Sequence, residues 1–313
     1  MSNTKSASVA PILVLFFNRP DHLEALLEKL VIEDVNDLYF AADGPRNQSD
    51  KVAIDLCWAM IGLAFPKLDC SRTLRRESNL GCRIAVSDAL NWFYSKVESG
   101  IVIEDDCLPN SDFFKVLSGA LVEYKGDNRI FSINATNPLP DNIKNRSTYL
   151  SIYPQIWGWA SWAERWRLYR REFSDTDEIV KRLVSRNLND VSSIKRFLFR
   201  SIWKHLLARA GGGQIDTWDY SMLAAMWRND LYAVQLSGNY VINNGFDSKA
   251  THTLSRPKWS PTAYFKGEDN LTIKLKKSME FDWWLSKHVY GCNVYQISKN
   301  VVKSILRRTN LLK

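Results

Sequence analysis

Strands and helices alternate along the first 135 or so residues, and this alternation predicts an α/β fold: a doubly wound, mostly parallel sheet flanked by helices. Two further observations agree. Polar residues collect where the predicted strands end, at Asn18-Arg19, Asp43 and Glu104-Asp105-Asp106, and open α/β sheets bind ligands outside the carboxyl ends of their strands. The 313-residue chain is 45% hydrophobic and 24% charged, a balance that supports a packed core and excludes disorder as the main state. Its length suits one large domain or two intimately joined ones.

Ile12 to Phe17 is a continuous apolar run and reads as a buried strand, closed by Asn18-Arg19-Pro20. A helix is predicted from Asp21. Asp21 and Glu24 have capping-box spacing, and Leu23, Leu26, Leu27, Leu30 and Val31 form an apolar stripe. Leu38 to Ala42 is the second strand, stopped by Asp43-Gly44-Pro45. Ser49 is the predicted cap of a helix through Phe65, and Ser71 to Arg76 gives a third, more polar strand. Asn79-Leu80-Gly81 opens a helix to about Lys96. Ile101-Val102-Ile103 is the fourth strand and runs into the three carboxylates. Ser111 is the expected cap of the next helix, and Ile130 to Ala135 is the fifth strand.

Beyond residue 140 the pattern changes. Tyr149 to Pro154 is strand-like, and the aromatic run Trp157 to Trp162 follows. Arg165 to Asn189 reads as charged helix and Ser192 to Ala210 as basic helix, with Gly211-Gly212-Gly213 as a flexible joint. Asp219 to Arg228 is helical, and Asn243-Asn244-Gly245 is a turn. Three segments result: 10–140, 141–255 and 256–313.

Lys plus Arg exceed Asp plus Glu by 42 to 34, a net charge of +8. No acid follows Asp282, whereas Lys287, Lys299, Lys303, Arg307, Arg308 and Lys313 do. Val301, Val302, Ile305 and Leu306 recur there at helical spacing. Such a basic amphipathic tail either lies on an anionic membrane surface or packs on the body by its apolar face. No nucleic-acid-binding motif accompanies it, so nucleic acid is not an expected partner. No stretch has the form of a signal peptide or a membrane span, which predicts a cytoplasmic protein, peripheral at most on the inner face of the membrane. The five scattered cysteines, none in a CxxC pair, predict reduced thiols rather than disulfides or zinc.

Three adjacent carboxylates beside an apolar strand repel one another. A divalent cation offsets that repulsion and in turn binds a diphosphate. The alternative is an acidic loop with its charges in water. No Walker-type loop and no Ser-His-Asp pattern is present.

Several motifs, in order, carry a resemblance. They are Phe16-Phe17-Asn18-Arg19-Pro20, Ala42-Asp43-Gly44, Asn79-Leu80-Gly81, and Glu104-Asp105-Asp106 with Pro109 and Phe113-Phe114. Trp157 to Trp162, Thr217-Trp218-Asp219-Tyr220, and Asn244-Gly245-Phe246 with Ala250 to Thr253 continue the series. Over about residues 10 to 255 the chain resembles nucleotide-sugar glycosyltransferases of the GT-A fold, in particular N-acetylglucosaminyltransferase I-like and bacterial HlpA-like transferases. The resemblance implies a Rossmann-like nucleotide-diphospho-sugar transferase fold with a C-terminal helical acceptor region. It also implies a metal-dependent, inverting transfer of sugar from a nucleoside diphosphate to a saccharide or lipid-linked saccharide, as in bacterial polysaccharide synthesis.

Site roles follow from the same resemblance. Arg19 lies by the donor phosphates or nucleotide, Asp43 by the base or ribose, and Asp105 by the ribose or sugar. Asn79, Gly81 and Arg83 line the donor at a helix start, where free N–H groups favour anions. Asp106 binds the metal, Mn²⁺ or Mg²⁺, with His252 either a further ligand or a surface-loop histidine. Asp219 is either the base that deprotonates the acceptor or a plain helix cap, and Asp216 competes for the base role. Trp157, Trp159 and Trp218 either face the acceptor sugar or belong to the core. A sugar-phosphate nucleotidylyltransferase would need a glycine-rich loop where this chain has Asn18-Arg19-Pro20, and a membrane-associated scaffold without activity is the non-enzymatic alternative.

Overall fold

The computed structural model describes residues 9–139, 147–246, 255–268, 271 and 275–291. The first half builds β1 (Ile12–Phe16), α1 (Pro20–Ile32), β2 (Leu38–Ala42), α2 (Gln48–Ala64), β3 (Thr73–Leu74), α3 (Cys82–Lys96) and β4 (Ser99–Glu104). Then come β5 (Cys107–Pro109), α4 (Phe113–Glu123) and β6 (Ile130–Asn134). The second half adds β7 (Tyr149–Ser151), β8 (Trp159–Trp162), α5 (Ala163–Trp166), α6 (Thr176–Asn187), α7 (Ser193–Gly211), α8 (Asp219–Arg228), β9 (Tyr232–Gln235), β10 (Val241–Asn243) and α9 (Met279–His288).

Eight strands form one sheet in the order β3-β2-β1-β4-β8-β6-β9-β7, and β10 pairs with β5 in a small second sheet. β1, β2, β3 and β4 run parallel, as do β6 and β9, while β8 and β7 are antiparallel to their neighbours. This is the mixed, mostly parallel sheet flanked by helices that the sequence predicts. β1 is buried along its whole length between β2 and β4, which accounts for its unbroken Ile-Leu-Val-Leu-Phe sequence. The carboxyl ends of β1, β2 and β4 therefore lie side by side, each followed by polar residues.

Several local expectations are corrected. Helix α1 starts one residue early, with Pro20 at its first position and Arg19 at the N-cap, so Asp21 and Glu24 form no capping box. Proline suits that position because it has no N–H to leave unpaired. The buried stripe is Leu23, Leu26, Leu27 and Leu30, whereas Val31 is 51% exposed. Asn47, not Ser49, caps α2 and accepts from the Asp50 N–H at 2.9 Å. Ser111 is not the N-cap of α4; Asp112 is. The third strand shrinks to Thr73–Leu74, behind a 3₁₀ turn at Cys70–Arg72. The charged stretch 165–189 is not one helix, because irregular chain separates α5 from α6. The triple glycine is a packed helix end rather than a loose joint: Gly211 lies against the Phe173 carbonyl with no room for a Cβ, and Gly213 adopts φ +71 beside Arg83. Four strands, β5, the aromatic β8, β9 and β10, and helix α9 go beyond the sequence reading. The basic tail from 299 onward and His252 lie outside the described residues. Among the described residues, no helix is long and apolar enough to cross a membrane.

Candidate active site

A crevice of about 490 Å³ opens at the strand ends, a volume typical of small-molecule sites. Its acidic corner is the end of β4. The Asp105 N–H bonds the Leu15 carbonyl at 2.9 Å, which fixes the chain as it leaves the sheet. The Asp105 carboxylate turns back to accept from the Phe17 N–H at 3.2 Å. Asp106 faces the other way. Its Oδ2 accepts from Arg19 Nη1 at 2.9 Å, and its Oδ1 accepts from Asn243 Nδ2 at 3.1 Å. The pairing of β10 with β5 sets Asn243 opposite Cys107 and so beside this carboxylate. Gly245 passes so close to Asp106 and Arg19 that a Cβ there would collide with both. Burial, and next the Asp106 charge, push the Glu104 and Asp105 carboxyls well above the usual carboxylate range.

Asp43, at the end of β2, is fully engaged by the protein itself. It accepts from Asn79 Nδ2 at 2.9 Å and from the N–H groups of Gly44, Leu80 and Gly81 at 2.8–3.1 Å. A carboxylate offers about four acceptor sites, so these donors saturate it. Asp43 holds the 79–81 loop through these donors and lines the crevice. Asn79 is correspondingly committed to Asp43 and to the Gly44 carbonyl, though it lines the crevice.

Asn79 and Gly81 line the crevice, and the start of α3 beside them is capped by the protein itself. Asp216 reaches across from the loop before α8 and accepts from the N–H groups of Arg83 and Cys82 at 2.9 and 3.3 Å. A carboxylate of the protein already takes the place an anion would take there. Gly81, at φ +80, admits this approach, since a side chain at that position would press on the Asp216 carboxylate. The Arg83 guanidinium does not line the crevice; it donates to the Arg171 carbonyl at 2.7 Å. Asp216 and Asp219 both line the crevice; Asp216 caps α3 from a distant loop, and Asp219, at the first turn of α8, accepts at Oδ1 from the Thr217 hydroxyl.

The three tryptophans separate. Trp159 is fully buried and stacks on Trp218 at 5.7 Å, so its indole is core packing and not a sugar-facing surface. Trp218 borders the crevice but is 1% exposed. Trp157 lines the crevice and stacks on Trp259 at 5.2 Å, with Phe246 edge-on at 5.6 Å. Sequence reasoning misses Trp259, and also Asn243, Arg46 and Arg76. Arg46 pairs with Asp50 at 2.7 Å. Arg76 donates only to two carbonyls, Ala42 at 3.3 Å and Ala85 at 3.1 Å, and among the described residues it pairs with no carboxylate. The strand-end rule could have found Arg76, which sits just past the third strand.

The oxygen donors of the acidic corner suit a hard divalent cation. Among the described residues, however, no three acids, histidines or cysteines converge as a metal site. Asp106 fits as a single protein ligand, with water and substrate oxygens completing the shell, as is usual for Mg²⁺.

No protein-family model matches the sequence, and no curated protein is similar to it at a significant level. Among solved structures, the chain is similar to a mannose-1-phosphate geranyltransferase from Thermus thermophilus. The TM-score is 0.31 and the identity 13%, over 74% of this chain and 75% of that one. Overlap at that level carries nothing about activity.

Proposed function

We propose that the protein is a nucleotide-sugar glycosyltransferase, metal-dependent and inverting, acting on a saccharide or lipid-linked saccharide hydroxyl. The observation that carries the reading is the crevice itself. It is lined both by a carboxylate corner at the end of β4 and by a separate carboxylate, Asp219, at the first turn of α8. One corner suits a diphosphate and its cation; the other suits proton removal.

In this reading Arg19 and Asp106 hold the diphosphate end, with Asn243 fixing the Asp106 carboxylate. Asp106 would hold Mn²⁺ or Mg²⁺, which would supply Lewis-acid neutralisation of the leaving diphosphate. Asp219 takes the proton of the acceptor hydroxyl as its oxygen bonds the anomeric carbon, and the bond from that carbon to the diphosphate oxygen breaks with its electron pair leaving on the diphosphate. Thr217 orients Asp219 by donating to Oδ1. Trp157 and Trp259 give the flat apolar surface beside which an acceptor ring can lie.

The test is a thermal-shift and turnover panel of UDP-, GDP-, CDP- and dTDP-sugars with and without Mn²⁺. Asp106→Ala is expected to abolish the metal-dependent shift. Asp219→Asn is expected to keep donor binding while transfer falls at least about 100-fold, the usual scale for a lost general base. Full turnover in Asp219→Asn removes it as base. Release of pyrophosphate from a nucleoside triphosphate and a sugar phosphate would instead make the protein a nucleotidylyltransferase.

A further inference from the structure

The geometry points to Arg76 as the residue that reads the nucleobase, selecting keto bases (uracil, thymine, guanine) over the amino bases cytosine and adenine. This rests on the nucleotide-sugar reading above and goes beyond it by naming which donors the site takes.

Position comes first. Neighbouring strands lie about 4.8 Å apart, so the end of β2 is two spacings, about 10 Å, from the acidic corner at the end of β4, with β1 between them. A ligand whose diphosphate sits at Asp106 extends its ribose past β1 and its base to the end of β2. The crevice there is floored by small apolar residues, Ala41, Ala42, Ala85, Val86 and Ala89, which leave room for a flat ring. Arg76 stands at this end, tied to the Ala42 carbonyl of β2 and the Ala85 carbonyl of α3.

Hydrogen-bond accounting comes second. Three arginines line the crevice. Arg19 is committed to Asp106 and Arg46 to Asp50, whereas Arg76 has no carboxylate partner among the described residues. A guanidinium has five N–H donors and no acceptor, and two of the five are used by carbonyls. Asp43, the nearby acid, is saturated by Asn79 and three backbone N–H groups and cannot accept from a base. Apart from the Asn79 side-chain oxygen, this end of the crevice offers the Arg76 donors. Uracil and thymine present the carbonyl oxygen O4, and guanine presents O6 beside N7; in the corresponding position cytosine presents an amino group, and adenine an amino group beside N7. An amino group set against a guanidinium puts donor against donor and leaves both unpaired in a half-buried site.

Titration calorimetry of wild type, Arg76→Gln and Arg76→Lys with UDP, dTDP, GDP, CDP, ADP and inorganic pyrophosphate tests this. At least one keto nucleotide is expected to bind about tenfold or more tighter than CDP and ADP, the scale of one unpaired buried donor. Arg76→Gln, whose amide both donates and accepts, should narrow that ratio to about threefold and leave pyrophosphate binding unchanged. Arg76→Lys keeps the charge but loses the fork, and should also narrow the ratio; it stands in if the melting temperature shows that Arg76→Gln fails to fold. An unchanged ratio in a folded variant overturns the inference, as does equal weakening of pyrophosphate, which would make Arg76 a phosphate ligand. Either result leaves the glycosyltransferase reading standing. If wild type binds no nucleotide, that reading and this one fall together.

Discussion

At the scale of single residues, what separates a structural acid from a reactive one is how many donors already surround it. Asp50 shows the structural extreme. It is 4% exposed and accepts from Arg46 Nε at 2.7 Å, Arg46 Nη2 at 3.1 Å and Asn18 Nδ2 at 2.6 Å. These bonds, the Arg46 side chain foremost, hold its carboxyl down to about 2 from 3.8. A depressed pKa means the unfolded chain binds the proton more readily. The pair therefore stabilises the fold above about pH 4, and the gain disappears as pH falls through about 2. Arg46 is half exposed, so solvent screening keeps the effect near the lower end, about 1–2 kcal/mol at neutral pH. Urea unfolding of Asp50→Asn should show that deficit at about pH 7, shrinking towards zero at about pH 2. A constant deficit across pH would assign it to packing. Asp219 accepts from the Thr217 hydroxyl and lines the crevice. Such donor counts are not written in a sequence: Asp43 just past a strand, and Asp216 and Asp219 near the start of a helix, all read there simply as candidate site acids.

At the scale of elements, the α3 N-terminus depends on a residue 133 positions away. Gly81 has no side chain to cap with, and Asp216 supplies the carboxylate for the Cys82 and Arg83 N–H groups. Asp216→Ala should cost about 1 kcal/mol, the ordinary worth of an N-cap, while Asp216→Asn, still an acceptor, should recover most of it. Chemical denaturation of the two variants checks this, and equal losses in both would mean the carboxylate charge, not the hydrogen bonds, matters. The same elements show what a sequence carries. α1 is legible from its leucine stripe, and α2, α3 and α8 from the breakers and polar residues that bound them. β1, β2 and β4 are legible because strands buried on both faces are unbroken apolar runs. β8 is hidden because Trp159-Ala160-Ser161-Trp162 alternates nothing: all four residues are buried, between β4 and β6, and only their pairing defines the strand. β5 is three residues long and exists through its ladder to β10, about 130 residues later. Contacts of that range set the crevice's walls, so the strand-end carboxylates can be read in advance and the cap, the Asn243 contact and the Arg76 geometry cannot.

At the scale of the whole molecule, the last described helix closes an edge of the sheet. β7 is the terminal strand, and the Leu150 N–H bonds the Lys276 carbonyl at 2.9 Å just ahead of α9. Covering an edge in this way protects its unpaired backbone groups. The seam is fastened by one buried acid. Asp282, 1% exposed, accepts from the Ser151 hydroxyl at 2.6 Å and the Ile152 N–H at 3.1 Å, while the Ser286 hydroxyl next along the helix pairs with Tyr153 at 2.6 Å. Burial outweighs those two donors and the more distant Lys277 charge, and raises the Asp282 carboxyl to about 7 from 3.8. Here the folded state binds the proton more tightly than the unfolded one. The stabilising form is the protonated one, so stability falls as pH climbs from about 4 to about 7 and levels off above that. Asn keeps the size and removes the ionisation. Between about pH 5 and about pH 8, wild type should lose about 2–3 kcal/mol relative to Asp282→Asn in urea titrations, the worth of roughly two pH units acting on one group. Hydrogen exchange localises the effect, because protection should drop first at β7 and α9 and not around β1. Parallel pH profiles for the two proteins would mean that Asp282 stays ionised in its buried seam throughout, held there by the Ser151 and Ile152 donors despite the surrounding apolar packing.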